Sequence, residues 1–335
     1  MDDLLLIYEV QPNDTLLSIA QSIGMTADEL RDFHNVNCQK VGLLMFNGFI
    51  GISKVVIPKN YKSPEQIDEE LKNALPKPVF SEDFYANSYQ VLETFDKDLN
   101  ISYTVSLKTK SNKEQNSITL TKSNFKKNNI SPDDKMSDIA LACAQSMEPV
   151  ILKIDQFGLP IEIQNHEQLK SDFTKQRPDL QEFYTGDVYA AYLNQFENNI
   201  SDQILLLNKL RATLLYQILF PDKRWFYKKV DWTEDFFVLQ NSFSLAFQFN
   251  VKYNLDSVQS AETQIRAENV EKYSLSEILK GIKSGEETDE VAQIEMKISY
   301  RTNKITKQLE SATATVRFWH DGELYKEHQL TITQN

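Results

Sequence analysis

The chain has 335 residues, 48 acidic against 36 basic side chains, a net charge of -12, and 41% hydrophobic with 25% charged residues. That balance belongs to an ordinary folded protein long enough for two or three domains, not to a disordered one. The acidic excess, with a pI near 5.0, argues against nucleic acid and against an anionic membrane surface, because both need clustered Lys and Arg.

In chain order, Tyr8 and Val10 alternate with Ile7 and Glu9 as a half-buried strand requires, and Pro12-Asn13 breaks the run. Asp14 or Thr15 can then cap a helix whose apolar stripe is Leu16, Ile19, Ala20 and Ile23. Gly24 suits the end of that helix. Thr26 followed by Glu29 fits a capping box for a second helix, which presents Leu30 and Phe33 and is expected to stop near Asn35. The chain returns as a strand at Val56-Ile57-Pro58.

A short βααβ unit with Asp14-Thr15-Leu16 at its first turn and Ile57-Pro58 at its end resembles the LysM family, over about Leu6 to Tyr61. Tyr8, Val10, Asp14, Thr15, Leu16, Ile19, Ala20, Leu30 and Asn35 sit where the family pattern wants them. Two positions depart from it. Asn13 replaces the glycine usual before Asp-Thr, although Asn tolerates the left-handed conformation. The stretch from Val36 to Lys54 is longer and more apolar than usual.

The resemblance implies binding rather than catalysis, with N-acetylglucosamine glycans such as peptidoglycan or chitin as ligand. It places the groove between the loop after the first strand and the loop after the second helix. Carried onto this chain, those positions are Asn13, Asp14, Thr15 and Leu16 on one side and Asn35, Val36 and Asn37 on the other. Helix caps use the same residue types, so the sequence leaves both roles open. Leu44, Phe46 and Phe49 form a candidate docking patch for a protein partner if they are exposed. The alternative is that this segment fills the module's own interior.

Lys59 to Pro78 reads as a connector, with a charged helix from Pro64 to about Leu71 closed by Pro76-Lys77-Pro78. The expected organisation is a LysM-like module over 1–61, a connector over 62–78 and an α+β domain over 79–335. In that domain Tyr103, Val105 and Leu107 alternate with polar residues and pair through a polar loop with Ile118 and Leu120. Lys122 to Lys135 reads as loop, followed by a helix over Met136 to Met147. Val150 to Ile154 and Pro160 to Ile163 flank Asp155-Gln156-Phe157-Gly158 as a second hairpin. One long helix is expected from Ile204 to Phe220, its stripe formed by Ile204, Leu207, Leu210, Leu214 and Ile218. Phe243 to Tyr253, Ile294 to Tyr300 and Ala314 to Phe318 alternate as strands, and Asp321-Gly322 turns the last hairpin. A curved antiparallel sheet packed on helices is the expected architecture. Its aromatic residues form a packed core or, if the helix leaves space, the wall of a lipid-sized cavity.

No Cys-x-x-Cys, His-Glu-x-x-His, glycine-rich phosphate loop or Gly-x-Ser-x-Gly occurs, and glycine is scarce at 9 residues. No catalytic residue, metal site or cofactor is expected. The pairs Asp133-Asp134, Glu286-Glu287 and Glu268 with Glu271 read as solvated charge, so nothing supports a muramidase. The four histidines are expected as polar surface residues, with His320 facing Glu323 and His328 opposite Thr315.

Met1-Asp2-Asp3 has no basic start for a signal peptide, and no apolar run spans a membrane. Cys38 and Cys143 are expected as free thiols of a reducing compartment. A glycan-binding module in a chain read as cytoplasmic leaves two alternatives. The protein is exported by a route other than the general secretory one, or the module serves as an adaptor in a phage-tail-like or type VI secretion machine, with machine proteins as partners.

Overall fold

The computed structural model describes every residue except 1–4, 39–41, 46–47, 50, 60–63, 97, 112–114 and 285–290. The chain divides into two compact units, Met1–Asn73 and Ala74–Asn335. The division falls within the expected connector, near the end of its helix.

In the first unit β1 (Leu5–Glu9) pairs antiparallel with β2 (Lys54–Pro58), placing Ile7 opposite Val56. Between them run α1 (Leu16–Ser22) and α2 (Ala27–Asn37). Both helices begin at the capping boxes their sequences contain, Thr15 with Ser18 and Thr26 with Glu29. Leu16, Ile19 and Ala20 turn inward from α1 and meet Leu30, Leu44, Val55 and Ile57, so one small core is assembled from every element. A helix α3 (Pro64–Ala74) follows.

The second unit is built on one antiparallel sheet of eleven strands among the described residues. Its first half is β3 (Ser88–Phe95), β4 (Leu99–Ser111), β5 (Asn116–Lys127), β6 (Val150–Ile154) and β7 (Pro160–Ile163). Its second half is β8 (Trp232–Phe236), β9 (Leu245–Asn254), β10 (Ser260–Asn269), β11 (Gln293–Asn303), β12 (Leu309–His320) and β13 (Glu323–Gln334). Each half is a meander, and the two join where β3 pairs with β13, Val91 opposite Ile332. Between β5 and β6 lies α4 (Lys135–Ser146); between the halves lie α5 (His166–Phe183), α6 (Asp187–Ser201), α7 (Gln203–Arg211) and α8 (Leu214–Leu219). A short α9 (Leu275–Lys280) links β10 to β11.

Alternation decides which face is covered. Leu245, Phe247 and Phe249 of β9, Ile294, Met296, Ile298 and Tyr300 of β11, and Ala314, Val316 and Phe318 of β12 are all buried in one core with Leu215, Ile218 and Leu219 of α8. Trp232 stacks on Phe249 with ring centroids 5.2 Å apart, and Phe226 meets Tyr300 edge-on at 5.3 Å. The aromatic residues therefore form a packed core, not the wall of a lipid cavity.

Three expectations change. The long helix over 204–220 is two helices, because Thr213 stops the first and caps the second. Its hydroxyl donates to the Leu210 carbonyl at 2.7 Å and accepts from the Tyr216 N–H. Ile204 consequently lies exposed on α7 instead of in the core. The polar stretch after Thr121 continues β5 to Lys127, since Ser123, Lys126 and Lys127 find ladder partners on β4 despite a bulge between Ser102 and Thr104. At the last hairpin His320 does face Glu323, but a bulge between Phe318 and Trp319 sets His328 opposite Val316 rather than Thr315.

The turn over 155–158 forms as its residues suggest. Asp155 Oδ1 accepts from the N–H groups of Phe157 and Leu159, both at 2.8 Å, and Gly158 takes a φ of 98°.

Candidate functional site

The loop after β1 is organised by Asp14. Its Oδ2 accepts from the Tyr8 hydroxyl at 2.8 Å and from the Gln11 N–H at 2.7 Å, which folds the Pro12-Asn13 turn back on the strand. Thr15 is the helix cap: its Oγ1 accepts from the Ser18 N–H while Ser18 Oγ accepts from the Thr15 N–H, both at 3.0 Å. Leu16 is fully buried in the module core. Of the four candidates on this side, Asn13 and Thr15 are exposed.

On the other side α2 runs to Asn37, two residues beyond the expected stop. Asn35, Val36 and Asn37 are its last turn rather than a loop. Asn35 reaches out to the following segment, donating to the Leu44 carbonyl at 3.0 Å and accepting from the Leu44 N–H at 2.7 Å. Asn37 donates to the Phe33 carbonyl at 2.8 Å. Val36 stands 83% exposed. Among the described residues no hydrogen bond joins the two sides, and each is held by bonds of its own.

Of the two alternatives for the segment 43–50, Leu44 and Phe49 take the interior one. Leu44 is 1% exposed and packs with Leu16 and Leu30, and Phe49 leans on the same core. Phe46 lies outside the described residues. What faces outward is the other parity of the segment, Leu43 at 58% and Met45 at 75%.

Two of the four histidines are buried, not superficial. His34 lies one turn after Leu30 on the inward face of α2. Its Nδ1 accepts from the Val56 N–H and its Nε2 contacts the Gly42 carbonyl, both at 2.9 Å, so the ring proton sits on Nε2. It ties α2 to β2 and to the intervening loop. The Leu30-to-His34 spacing was the available signal. His166 is buried against the Ile200 carbonyl at 2.8 Å, and His328 is held by Glu93 at 3.0 Å.

Among the described carboxylates of these pairs, Asp134 and Glu271 serve the fold. Asp134 caps α4 and pairs with Lys127 at 2.8 Å, and these bonds to Lys127 and Ser137 hold its carboxyl well below the usual range. Glu271 accepts from the Ala246 N–H. Glu286 and Glu287 lie outside the described residues. Among the described residues no group of three or more His, Cys, Asp or Glu could hold a metal ion. Cys38 and Cys143 are both buried free thiols, and burial pushes Cys143 up to about 11. No described helix is long and apolar enough to cross a membrane.

The first unit is thus a capped βααβ module, with a polar turn before α1 and the last turn of α2 carrying the candidate residues. The LysM domain family model matches residues 8–43, so the N-terminal unit carries a LysM domain. No curated protein matches the chain.

Proposed function

We propose that this is a non-enzymatic binding protein whose LysM domain holds an N-acetylglucosamine glycan of the peptidoglycan or chitin type. The family match over residues 8–43 carries the reading. The surface residues available for contact are Asn13, Thr15 and Val36, with Asn37 beside them. Val36 offers an apolar seat for an acetyl methyl, and Asn13 and Thr15 offer hydroxyl and amide partners. Asp14, Leu16 and Asn35 act by shaping the two loops rather than by touching sugar.

Sedimentation of the full chain with insoluble peptidoglycan and with chitin tests the reading. Binding that Asn13→Ala and Val36→Asp weaken, with unfolding midpoints unchanged, is the expected result. A chain left in the supernatant by both polymers would refute it. The adaptor reading, with secretion-machine proteins as partners, draws on one observation, the outward pair Leu43 and Met45. Leu43→Ser with Met45→Ser should abolish capture of such a partner while leaving glycan sedimentation intact.

A further inference from the structure

Four adjacent strands of the second unit break their own apolar rule along one diagonal of the sheet, each a residue pair further on than its neighbour. On the buried face β5 runs Ile118, Leu120 and then Lys122. On the neighbouring strand Leu107 and Val105 lead to Tyr103, on β3 Tyr89 and Val91 lead to Glu93, and on β13 Ile332 and Leu330 lead to His328. A sheet that only needed packing would continue with Val, Ile or Leu. Here a polar row crosses the face instead.

Three members of the row satisfy one another. Tyr103 donates its hydroxyl to Glu93 Oε1 at 2.6 Å, and His328 Nε2 stands 3.0 Å from Glu93 Oε2. The His328 ring also stacks on Phe95 at 4.2 Å between centroids. Although burial opposes it, these bonds from His328 and Tyr103 keep the Glu93 carboxyl below its ordinary value. Glu93 is therefore an anion already spoken for.

Lys122 is different. Its ammonium makes no ion pair or hydrogen bond with any described residue, and its nearest ring is Tyr216, 5.5 Å from Nζ to centroid. Burial lowers its pKa, while the charges of Glu148 and Glu93 work the other way. Glu148 supports it weakly, since burial pushes that carboxyl up to about 7. Lys326, two residues before His328 on the same face, is likewise without a partner among the described residues. Both lysines line a cavity of about 300 Å³ between the polar row, the start of α8 and the segment 238–240. Most of its remaining wall is apolar, with Phe95, Leu214, Leu215, Val238 and Leu239, and Thr213 and Gln240 add polar groups at the ends of the two segments. A half-buried ammonium with no anionic partner, facing a cavity with an apolar wall, is a ready seat for an anion.

We propose that this cavity binds a small organic monocarboxylate with an apolar tail, the carboxylate resting on Lys122 and the tail along Leu214, Val238 and Leu239. The apolar part of the wall disfavours a bare inorganic anion, and the Lys122 ammonium repels an amine and finds no charge to pair with in an alcohol. The assignment concerns the second unit alone and is independent of glycan binding by the LysM domain.

Calorimetric titration of the full chain with sodium octanoate tests it. Saturable binding is expected, weakened about tenfold or more in Lys122→Met, the scale of a lost charge-assisted hydrogen bond. Octan-1-ol, octylamine and inorganic phosphate should each bind far more weakly than octanoate. The proposal is overturned if octanoate shows no saturable binding, if Lys122→Met binds it as well as the unaltered chain, or if octan-1-ol or phosphate matches it. The comparison among probes on the unaltered chain decides the matter even if Lys122→Met fails to fold.

Discussion

Asn35 closes a two-bond clasp on Leu44, donating to its carbonyl at 3.0 Å and accepting from its N–H at 2.7 Å. A single side chain at the end of α2 thereby satisfies both backbone groups of a residue nine positions on, and holds Leu44 in the module core. Asn35→Ala leaves both groups without a protein partner. It should cost about 2 kcal/mol of stability in the first unit, read as a lower denaturant midpoint. Glycan sedimentation should fall with it, because the loop after α2 loses its anchor. Asn35→Asp keeps the acceptor and loses the donor, so its effect should be smaller.

Asp14 needs a test that separates folding from ligand contact. It looks like a ligand contact, yet it bonds Tyr8 and the Gln11 N–H. Asp14→Ala should lower stability by about 1–2 kcal/mol whether or not a glycan is present. Tyr8→Phe, which removes one of the same bonds, should reproduce about half of that loss. A variant that lost glycan binding at unchanged stability would show instead that Asp14 touches the ligand.

Glu148 gives the second unit a signature in pH. Burial raises its carboxyl from the ordinary 4.5 to about 7, with Lys122 pulling the other way. A carboxyl raised in the folded state takes up a proton there more readily than in the unfolded chain. Its contribution therefore favours folding at low pH and is lost progressively as pH rises from 4.5 through 7. Glu148→Gln removes that dependence. The variant should be more stable than the unaltered chain at pH 8 and should lose that advantage as pH falls towards 4.5, measured as denaturant midpoints across the range.

Gly281 ends α9 in the left-handed region at a φ of 68°, and a Cβ there would lie 2.4 Å from the Asn241 carbonyl oxygen. Backbone, not a movable side chain, blocks the space. Gly281→Ala should cost about 3 kcal/mol or more, combining left-handed strain with displacement of the Asn241 segment. Gly322 also has a positive φ, 78°, but meets nothing within 4 Å, so Gly322→Ala should cost about 1 kcal/mol. Parallel thermal melts separate the two.

What the sequence made legible was whatever depends on near neighbours. Thr26 and Glu29 stand three apart and make their box; Phe247 and Phe249 alternate and turn inward; Asp155 and Gly158 make their turn. Illegible were the contacts that need a distant partner. His34 reads as a loop-side polar residue until Val56, twenty-two positions on, supplies its N–H. Leu44 reads equally as docking patch or interior until the core that receives it is assembled. Thr213 looks like one polar residue in an apolar stripe, yet a single hydroxyl divides the helix. The polar row of Lys122, Tyr103, Glu93 and His328 was hidden for the same reason. Each residue is unremarkable on its own strand, and only the strand order aligns them.

The pairing of β3 with β13 sets an order of events during synthesis. Val91 must wait for Ile332, more than two hundred residues later, before the middle of the sheet exists. Until then the emerging polypeptide carries two incomplete meanders with open inner borders, β3 on one and β12 on the other. Such borders are templates for foreign strands, and closure across so long a separation is slow. A nascent second unit is therefore exposed to mispairing until its final strand leaves the ribosome, and chaperone dependence should concentrate there rather than in the locally folded module that precedes it.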